Sequence, residues 1–257
     1  MKNESCLVEV VIPIYKNNIS ENEMMSLQQV YDILSKHPLT VIKPESLDLS
    51  ELAKGFPLLN IRSFDDSFFN GIPGYNRLML SEAFYSGFSH TKYILIYQLD
   101  AYVFRDELTC WCDKDYDYIG APWLKKPIYN APIISLIMRL FRDYDKHKKR
   151  KNKQELYNKV GNGGFSLRKV SSHYEVVIKH REEINFYLEQ KGHLYYEDVF
   201  WATVASFKYP DAIEALSFAF DKYPSLCFKL NKKILPFGCH GWYKRKMKSF
   251  WKPIIGF

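Results

Sequence analysis

The sequence predicts a single α/β domain with a mixed, mostly parallel central sheet flanked by helices. The apolar, β-branched run Leu7–Ile14 is typical of a buried parallel strand. A pattern of helical spacing over Ser20–Ser35 follows it, and the short apolar run Leu39–Ile42 comes next. A strand, a helix and a second strand in this order indicate a βαβ unit, which belongs to an α/β sheet.

The first helix carries a start signal as well as an apolar face. Ser20 is followed three residues later by Glu23, which is a capping-box pattern. The apolar positions that recur at helical spacing are Met24, Leu27, Val30, Tyr31 and Leu34.

Helices and strands continue to alternate along the rest of the chain. Further helices are predicted over Gly74–Phe88, Val170–Gln190 and Glu197–Phe207. Further strands are predicted over Tyr93–Tyr97, Tyr116–Ile119 and Phe165–Leu167. Residues 124–158 combine an apolar stretch with a basic run, which indicates a helix or a flap with a mobile segment. The last ordered feature that the sequence predicts is Leu235–Trp242.

The positive charge of the chain is concentrated in two places. The net charge is +7, and one cluster consists of Lys146, Lys148, Lys149, Arg150, Lys151 and Lys153. The other consists of Lys244, Arg245, Lys246, Lys248 and Lys252. Without these clusters the chain has a net charge of −4, which argues against a nucleic-acid groove across the fold. The clusters suit either two local anionic contacts or solvated loops.

Cysteine usage and hydropathy indicate the compartment. Five cysteines without a C-x-x-C motif favour a reducing environment over a disulfide framework. The N-terminal residues are too polar for a signal peptide, and the most apolar later run, Ala131–Phe141, is too short to span a bilayer. We therefore expect a cytoplasmic protein, either soluble or peripheral at the inner face of a membrane.

Three places in the sequence could carry chemistry, each with a structural alternative. Asp100 directly follows an apolar strand, at the sheet edge where α/β proteins bind ligands, although aspartate is also a common turn residue there. Glu197 and Asp198 open a helix, where acids stabilise the helix dipole but can also present a general base. His240 has no partner at zinc spacing, and a buried histidine is more often a core residue than a ligand.

Two other patterns are less specific. The acids Asp113, Asp115 and Asp117 resemble the start of a calcium loop, but Tyr118 and Leu124 stand where an EF-hand needs glycine and glutamate. Residues 161–164 read G-N-G-G, which allows either the close approach of a ligand to the backbone or a tight turn.

In their order and spacing, seven stretches resemble the GT-A-fold nucleotide-sugar glycosyltransferases, and the DUF5672 branch most. They are VEVVIPIYK, FFNGIPGYNRLMLSEAFYSGF, YILIYQLDAYVF, YDYIGAPW, VGNGGFSLR, YYEDVFW and FGCHGW, between about residue 7 and residue 242. The resemblance implies a transferase of hexosyl type that uses a nucleotide-sugar donor and a glycan or lipid-linked acceptor in surface polysaccharide synthesis. It also implies a nucleotide-binding half at about 1–120, an acceptor half at about 121–243 and a basic aromatic tail at 244–257.

The resemblance further implies a role for individual residues. Asp198 would act as the base that deprotonates the acceptor in an inverting reaction, and Glu197 would orient the acceptor. A divalent metal, Mn²⁺ or Mg²⁺, would be held by Asp100 and His240. The implied donor-binding residues are Pro13, Ile14, Tyr15, Asn76, Arg77, Gln98, Asp100, Asn162, Gly163 and Gly164.

Departures from the family pattern leave alternatives open. Gln98 stands where the D-x-D motif has its first acid, so a metal-independent enzyme, or an inactive module that binds a glycan or nucleotide, also fits. Turns of the N-x-G type occur in retaining enzymes of this fold as well. The basic aromatic tail fits either contact with an anionic membrane or a helix whose aromatic side chains pack on the body.

Overall fold

A computed structural model describes residues 6–148 and 150–257 of the chain, so Lys149 of the first basic cluster lies outside the described residues. The strands are β1 Cys6–Pro13, β2 Leu39–Pro44, β3 Leu59–Phe64, β4 Thr91–Tyr97, β5 Ala101–Val103, β6 Tyr118–Gly120, β7 Phe165–Lys169, β8 Ala219–Phe220 and β9 Gly238–His240. The α-helices are α1 Glu21–Leu34, α2 Ser50–Gly55, α3 Gly71–Met79, α4 Glu82–Gly87, α5 Leu108–Asp113, α6 Pro132–His147, α7 Val170–Lys179, α8 Arg181–Glu189, α9 Glu197–Thr203, α10 Ala212–Phe218, α11 Pro224–Leu230 and α12 Lys248–Ile255. Short 3₁₀ helices cover Asp66–Phe69, Pro127–Asn130, Lys153–Leu156 and His193–Tyr195.

The central sheet has six strands in the order β3-β2-β1-β4-β7-β6. Strands β1 to β4 run parallel, whereas β7 is antiparallel to both β4 and β6. A small second sheet has the order β5-β9-β8. The predicted α/β fold with a mixed, mostly parallel sheet is therefore confirmed.

The core lies on both faces of the central strands. Val10, Val11 and Ile12 of β1 are completely buried, as are Leu27 and Val30 of α1. This burial on two faces explains why Val10, Val11 and Ile12 are apolar at consecutive positions of β1 rather than at alternate ones.

The start of α1 has the predicted geometry. The Glu23 backbone N–H donates to Ser20 Oγ at 3.4 Å, and the Ser20 backbone N–H donates to Glu23 Oε2 at 2.9 Å. The capping box that the sequence predicts is therefore confirmed.

Two predicted helices are each divided in two. The segment Gly74–Phe88 forms α3 and α4, because Ser81 caps a new helix by accepting a hydrogen bond from the Phe84 backbone N–H at 3.1 Å. The segment Val170–Gln190 forms α7 and α8, which are separated at His180. The helix predicted over Glu197–Phe207 ends at Thr203.

The chain remains ordered beyond Trp242, so the expectation that ordered structure ends there is wrong. Trp251 of α12 is completely buried, and its ring stacks on Phe104 with centroids 5.5 Å apart. The buried Trp242 donates its indole N–H to the Ala101 carbonyl at 3.0 Å. Of the two alternatives for the basic aromatic tail, the burial of these two rings matches the one in which its aromatic side chains pack on the rest of the protein. Within the described ranges, no helix combines the length and apolarity needed to cross a bilayer.

Substituting Trp251 tests whether the tail contributes to the core. Trp251→Ala should lower the free energy of unfolding by about 3–5 kcal/mol, because it leaves a large cavity beside Phe104. In the same helix, Ile254 is 40% exposed, and Ile254→Ala should change the free energy of unfolding by less than about 0.5 kcal/mol. Urea denaturation measures both values, and equal effects of the two substitutions would contradict this packing.

Candidate active site

The parallel strands β1 and β4 end at the same edge of the sheet, and a cavity of about 320 Å³ opens there. We call it the strand-end cavity. Pro13, Ile14 and Tyr15 line one side, at the end of β1, and Gln98 and Asp100 line another, directly after β4. This is the position at which open α/β sheets bind ligands, because the loops that follow neighbouring strands leave a crevice between them.

Asp100 is the centre of a charged cluster in this cavity. Its Oδ1 lies 2.8 Å from His240 Nε2, and its Oδ2 lies 2.7 Å from Lys244 Nζ. Burial alone would favour the neutral acid, but the positive charges of His240 and then Lys244 hold the pKa of Asp100 well below its usual range. Asp100 is therefore a carboxylate at neutral pH.

The small sheet brings His240 to Asp100 from the distant part of the chain. His240 in β9 is the register partner of Ala101 in β5, one residue after Asp100. Its Nδ1 lies 3.4 Å from Asp221 Oδ1. Burial disfavours the charged ring, but the carboxylates of Asp100 and Asp221 outweigh it and raise the pKa of His240 to about 9.

The ligand types around Asp100 fit a divalent cation. His240 Nε2 is buried and makes no well-formed hydrogen bond with a described residue, although Asp100 Oδ1 is near. A side chain at Gly164 would collide with His240 Nε2 and would approach Gln98 Oε1 to 2.7 Å, so the space above this glycine is bordered by nitrogen and oxygen ligands. Among residues 6–148 and 150–257, no three His, Cys, Asp or Glu side chains converge on one point. A cation bound here would therefore need further ligands from a bound molecule.

A buried ion pair lies beside this cluster. Arg168 Nη2 of β7 is 3.1 Å from Glu197 Oε1, and both side chains are almost inaccessible to water. Although burial disfavours its charge, Glu197 keeps the pKa of Arg168 well above its ordinary value. The same guanidinium donates to Ser166 Oγ at 3.0 Å and to the Tyr85 hydroxyl at 3.1 Å. Glu197 is thus paired with Arg168 inside the protein and does not line the strand-end cavity.

Two residues, Gly163 and Asn76, contact Glu197 of this ion pair. A Cβ atom on Gly163 would overlap Glu197 Oε1, so this position has no room for a side chain. Asn76 Oδ1 accepts a hydrogen bond from the Glu197 backbone N–H at 3.2 Å. Together these contacts fix the first turn of α9, where Asp198 follows Glu197.

Asp198 lines a second cavity, of about 430 Å³, which we call the aromatic cavity. Burial, and then the charge of Glu197, raise the pKa of Asp198 to about 7, although its Oδ1 accepts a hydrogen bond from the Val199 backbone N–H at 2.9 Å. Such a carboxyl group can accept a proton near neutral pH. The other polar or aromatic lining residues are Trp123, Lys126, Tyr129, Lys153, Tyr157, His193, Tyr196, Lys222 and Tyr223. A concave surface of aromatic rings with a few polar groups is typical of a site for a small organic ligand.

The structure brings together most of the residues that the sequence singles out. Pro13, Ile14, Tyr15, Gln98 and Asp100 share the strand-end cavity. Gly164 and His240 adjoin this group. Asn162 is buried with a φ of 67°, and its Oδ1 accepts a hydrogen bond from the Gly164 backbone N–H at 3.3 Å, so it shapes the turn.

Asn76 and Arg77 do not line the strand-end cavity. Asn76 is buried and caps α9. Arg77 is exposed and donates to the Ser67 carbonyl at 2.7 Å. The two side chains thus lie apart from the other implied donor-binding residues that line the strand-end cavity, and their role toward a donor stays a prediction.

Several residues of the site are not predicted from the sequence. The position of Lys244, four residues after His240, could have indicated that it belongs to the site, but the sequence analysis groups it with the basic tail. Tyr75 and Tyr243 line the strand-end cavity without any motif of their own. Of the residues that line the aromatic cavity, Trp123, Tyr196, Asp198 and Val199 lie within the motifs, and the others come from separate segments.

Comparison with known families gives one match. The family model described as "Protein of unknown function (DUF5672)" matches residues 58–240. None of the curated proteins matches this sequence.

Solved structures with a similar fold include several glycosyltransferases. The galactosyltransferase LgtC, in complex with donor and acceptor sugar analogs, superposes with a TM-score of 0.60 at 13% identity over 96% of this chain and 93% of that chain. The mannosyltransferase Ktr4p from S. cerevisiae, in complex with GDP, has a TM-score of 0.52 at 11% identity over 83% and 68% of the two chains. The apo-form glycosyltransferase GlyE from Streptococcus pneumoniae TIGR4 has a TM-score of 0.51 at 12% identity over 96% and 59%. The GT-A fold that the motif order implies is therefore confirmed.

Gly163→Ala tests the contact between the loop and Glu197. The added methyl group must displace the Glu197 carboxylate from Arg168, so the free energy of unfolding should fall by about 3 kcal/mol or more. Gly55→Ala is the matched control, because a methyl group there meets no atom within 4 Å and should leave stability unchanged or slightly raised. Urea denaturation measures both changes, and a Gly163→Ala protein as stable as the control would contradict the close contact.

Proposed function

The chain belongs to the DUF5672 family, and we propose that it is a glycosyltransferase which moves a sugar from a nucleotide-sugar donor to a glycan or lipid-linked acceptor. One observation carries the proposal. Two consecutive glycines contact the two parts of the site: Gly164 lies against His240 and Gln98, and Gly163 lies against Glu197 at the start of α9. The charged cluster around Asp100, which suits phosphate binding, and the helix start that carries Asp198, which suits proton transfer, therefore lie on the two sides of one loop.

The donor belongs in the strand-end cavity. The nucleoside would lie against the residues at the end of β1, and its diphosphate would lie near Asp100, where Lys244 supplies positive charge. Asp100, Gln98 and the neutral form of His240 would hold a divalent cation, which as a Lewis acid would neutralise charge on a leaving diphosphate. Lys244 adds a fixed positive charge beside the same carboxylate, which favours the binding of an anionic donor.

The acceptor belongs in the aromatic cavity. Its rings offer flat apolar faces for sugar rings, and Asp198 is the carboxyl group positioned to receive a proton. In the transfer step, the acceptor oxygen forms a bond to the anomeric carbon and the bond from that carbon to the diphosphate breaks. Asp198 takes the hydroxyl proton, and the nucleoside diphosphate leaves with the bonding electrons. Attack by an acceptor that a base activates in this way inverts the anomeric centre.

Glu197 is a positioning residue in this proposal. Glu197 is buried and lines neither cavity, so an acceptor cannot reach it, but its charge helps to raise the pKa of Asp198. The proposal thus replaces direct acceptor contact, which the resemblance implies for Glu197, with control of the base beside it.

Asp198→Asn tests the proposed base. The amide cannot take a proton, so the transfer rate should fall by about 10²–10⁴-fold, while binding of the donor nucleotide should not change. In the wild-type protein, the rate should rise with pH through about 7 and then level off, because only the ionised form of Asp198 is active. Initial rates of nucleoside diphosphate release measure both effects, and proton NMR of the product reports its anomeric configuration.

The exposed Asp113 offers the matched control, and Asp113→Asn should keep the wild-type rate and pH profile. A rate that Asp198→Asn leaves unchanged would show that Asp198 is not the base. A product that retains the configuration of the donor would contradict the inverting step.

A donor screen by thermal shift tests the proposed function itself. UDP, GDP, CMP and TDP are tested with their sugars, each with and without Mn²⁺. A ligand at about 100 times its Kd should add about 2.7 kcal/mol to the stability of the folded protein. We expect a shift with one nucleotide class, larger with Mn²⁺, because the described residues need ligands from the diphosphate to complete a cation site.

Asp100→Ala and His240→Ala should abolish the metal-dependent part of the shift, whereas Asp113→Ala should preserve it. The absence of a shift with every nucleotide would contradict the donor site. A thermal shift with a nucleotide but no sugar transfer would instead favour an inactive module that binds a glycan or nucleotide. Gln98 is compatible with this alternative, because its amide binds a cation less strongly than the carboxylate of the D-x-D motif would.

A further inference from the structure

The amphipathic helix α6 turns its apolar face to solvent. Six side chains recur at intervals of three and four residues, so they form one stripe along the helix. Their exposed fractions range from 46% at Ile137 to 75% at Ile133. The stripe consists of Ile133, Leu136, Ile137, Leu140, Phe141 and Tyr144. An exposed apolar stripe of this length marks an interaction surface, because isolated domains rarely leave such contiguous patches uncovered.

A different side of α6 attaches the helix to the protein. Gln154 donates its side-chain amide to the Met138 carbonyl at 2.6 Å, and Asn152 donates to the Asp145 carboxylate. The Arg150 backbone N–H donates to the Asp145 carbonyl at 2.8 Å. The segment that follows α6 therefore holds the helix through the side of Met138 and Asp145, and the apolar stripe stays free.

The surroundings of the stripe are strongly basic. Arg139, Arg142 and Lys146 lie on the helix side opposite the stripe, by the 100° step of an α-helix. Residues 125–153 contain ten lysines and arginines and two aspartates, so this segment has a net charge of +8. The whole chain has a net charge of +7, so the residues outside this segment have a net charge of −1.

We infer that α6 is a membrane-docking helix which lies on an anionic bilayer surface. An apolar stripe with a cationic face on the other side is the pattern of amphipathic helices that lie in the bilayer interface, where the apolar side chains enter the acyl region and the long basic side chains reach lipid phosphates. A second copy of this chain covers the stripe less well, since it would bring another +8 segment against the first. Nucleic acid would match the charge but not the apolar stripe.

The helix α6 is better suited to this contact than the C-terminal tail. The indoles of Trp242 and Trp251 are buried in the body, and Lys244 is paired with Asp100. The apolar side chains that the tail would need at a bilayer are thus largely committed to internal packing, whereas those of α6 are exposed.

The position of α6 has a consequence for the acceptor, which rests on the proposed function. The helix is flanked by the 3₁₀ helices Pro127–Asn130 and Lys153–Leu156, which contribute Tyr129 and Lys153 to the aromatic cavity. Docking through α6 brings this cavity close to the bilayer surface. An acceptor carried on a lipid would then meet Asp198 without leaving the membrane.

Vesicle co-sedimentation of the full chain tests the inference. The vesicles contain phosphatidylcholine with or without phosphatidylglycerol. We expect binding only to the anionic vesicles, weakening with salt, and a loss of about tenfold or more in affinity for Leu140→Asp. Arg142→Gln should weaken binding about fivefold, since each basic residue near the surface contributes about that factor. Ile213→Asp, at a residue of α10 that is 58% exposed, should bind like the wild-type protein.

Two further measurements keep the result interpretable. The thermal unfolding midpoint of Leu140→Asp should equal that of the wild-type protein, because Leu140 is 60% exposed. Donor-nucleotide binding by this variant in solution should also be unchanged, so failure of docking and failure of the proposed function are distinguishable. No binding to anionic vesicles, or equal binding by Leu140→Asp and the wild type, would overturn the inference. Sedimentation that shows wild-type dimers and Leu140→Asp monomers, without vesicle binding, would assign the stripe to a second copy instead.

Discussion

The buried ion pair between Arg168 and Glu197 is the interaction on which the arrangement of the site depends. A charge enclosed in protein is costly without a partner, so these two side chains hold β7 and the start of α9 at a fixed separation. Gly163 must lack a side chain to leave room for the carboxylate, and Asn76 completes the first turn of α9. The ion pair therefore fixes the position of Asp198, and the charge of Glu197 adds to burial in raising the pKa of Asp198.

The charges of the site are divided between two environments. Around Asp100, two cations keep a carboxylate ionised, and a surface of this kind receives phosphates or a metal ion. Around Asp198, burial and a neighbouring anion favour the neutral acid, and a group of this kind exchanges protons near pH 7. The glycine loop at 163–164 lies between them and contributes backbone without side chains, so the two environments come close without neutralising each other.

Short sequence patterns predicted the parts of the fold that depend on residues close together in the chain. The buried strand β1, the capping box of α1 and the placement of Asp100 at a strand end all follow from short stretches of sequence. Contacts between distant segments could not be predicted in this way, and the capping of α9 by Asn76, 121 residues away, is one example. For residues 124–158 the sequence indicates a helix or a flap, and it does not tell which face of such a helix meets the protein. In most globular proteins the apolar face would be buried, whereas here it is exposed.

The small sheet determines when the site can form during synthesis. The parallel strands β1 to β4 are complete once residue 97 has been made, so much of the central sheet can assemble early on the ribosome. Asp100 cannot meet His240 until β9 has emerged and inserted between β5 and β8. A nascent chain that has reached residue 100 would thus hold the parallel strands with Asp100 still unpaired at their edge. The charged cluster around Asp100 therefore forms only after most of the central sheet is in place.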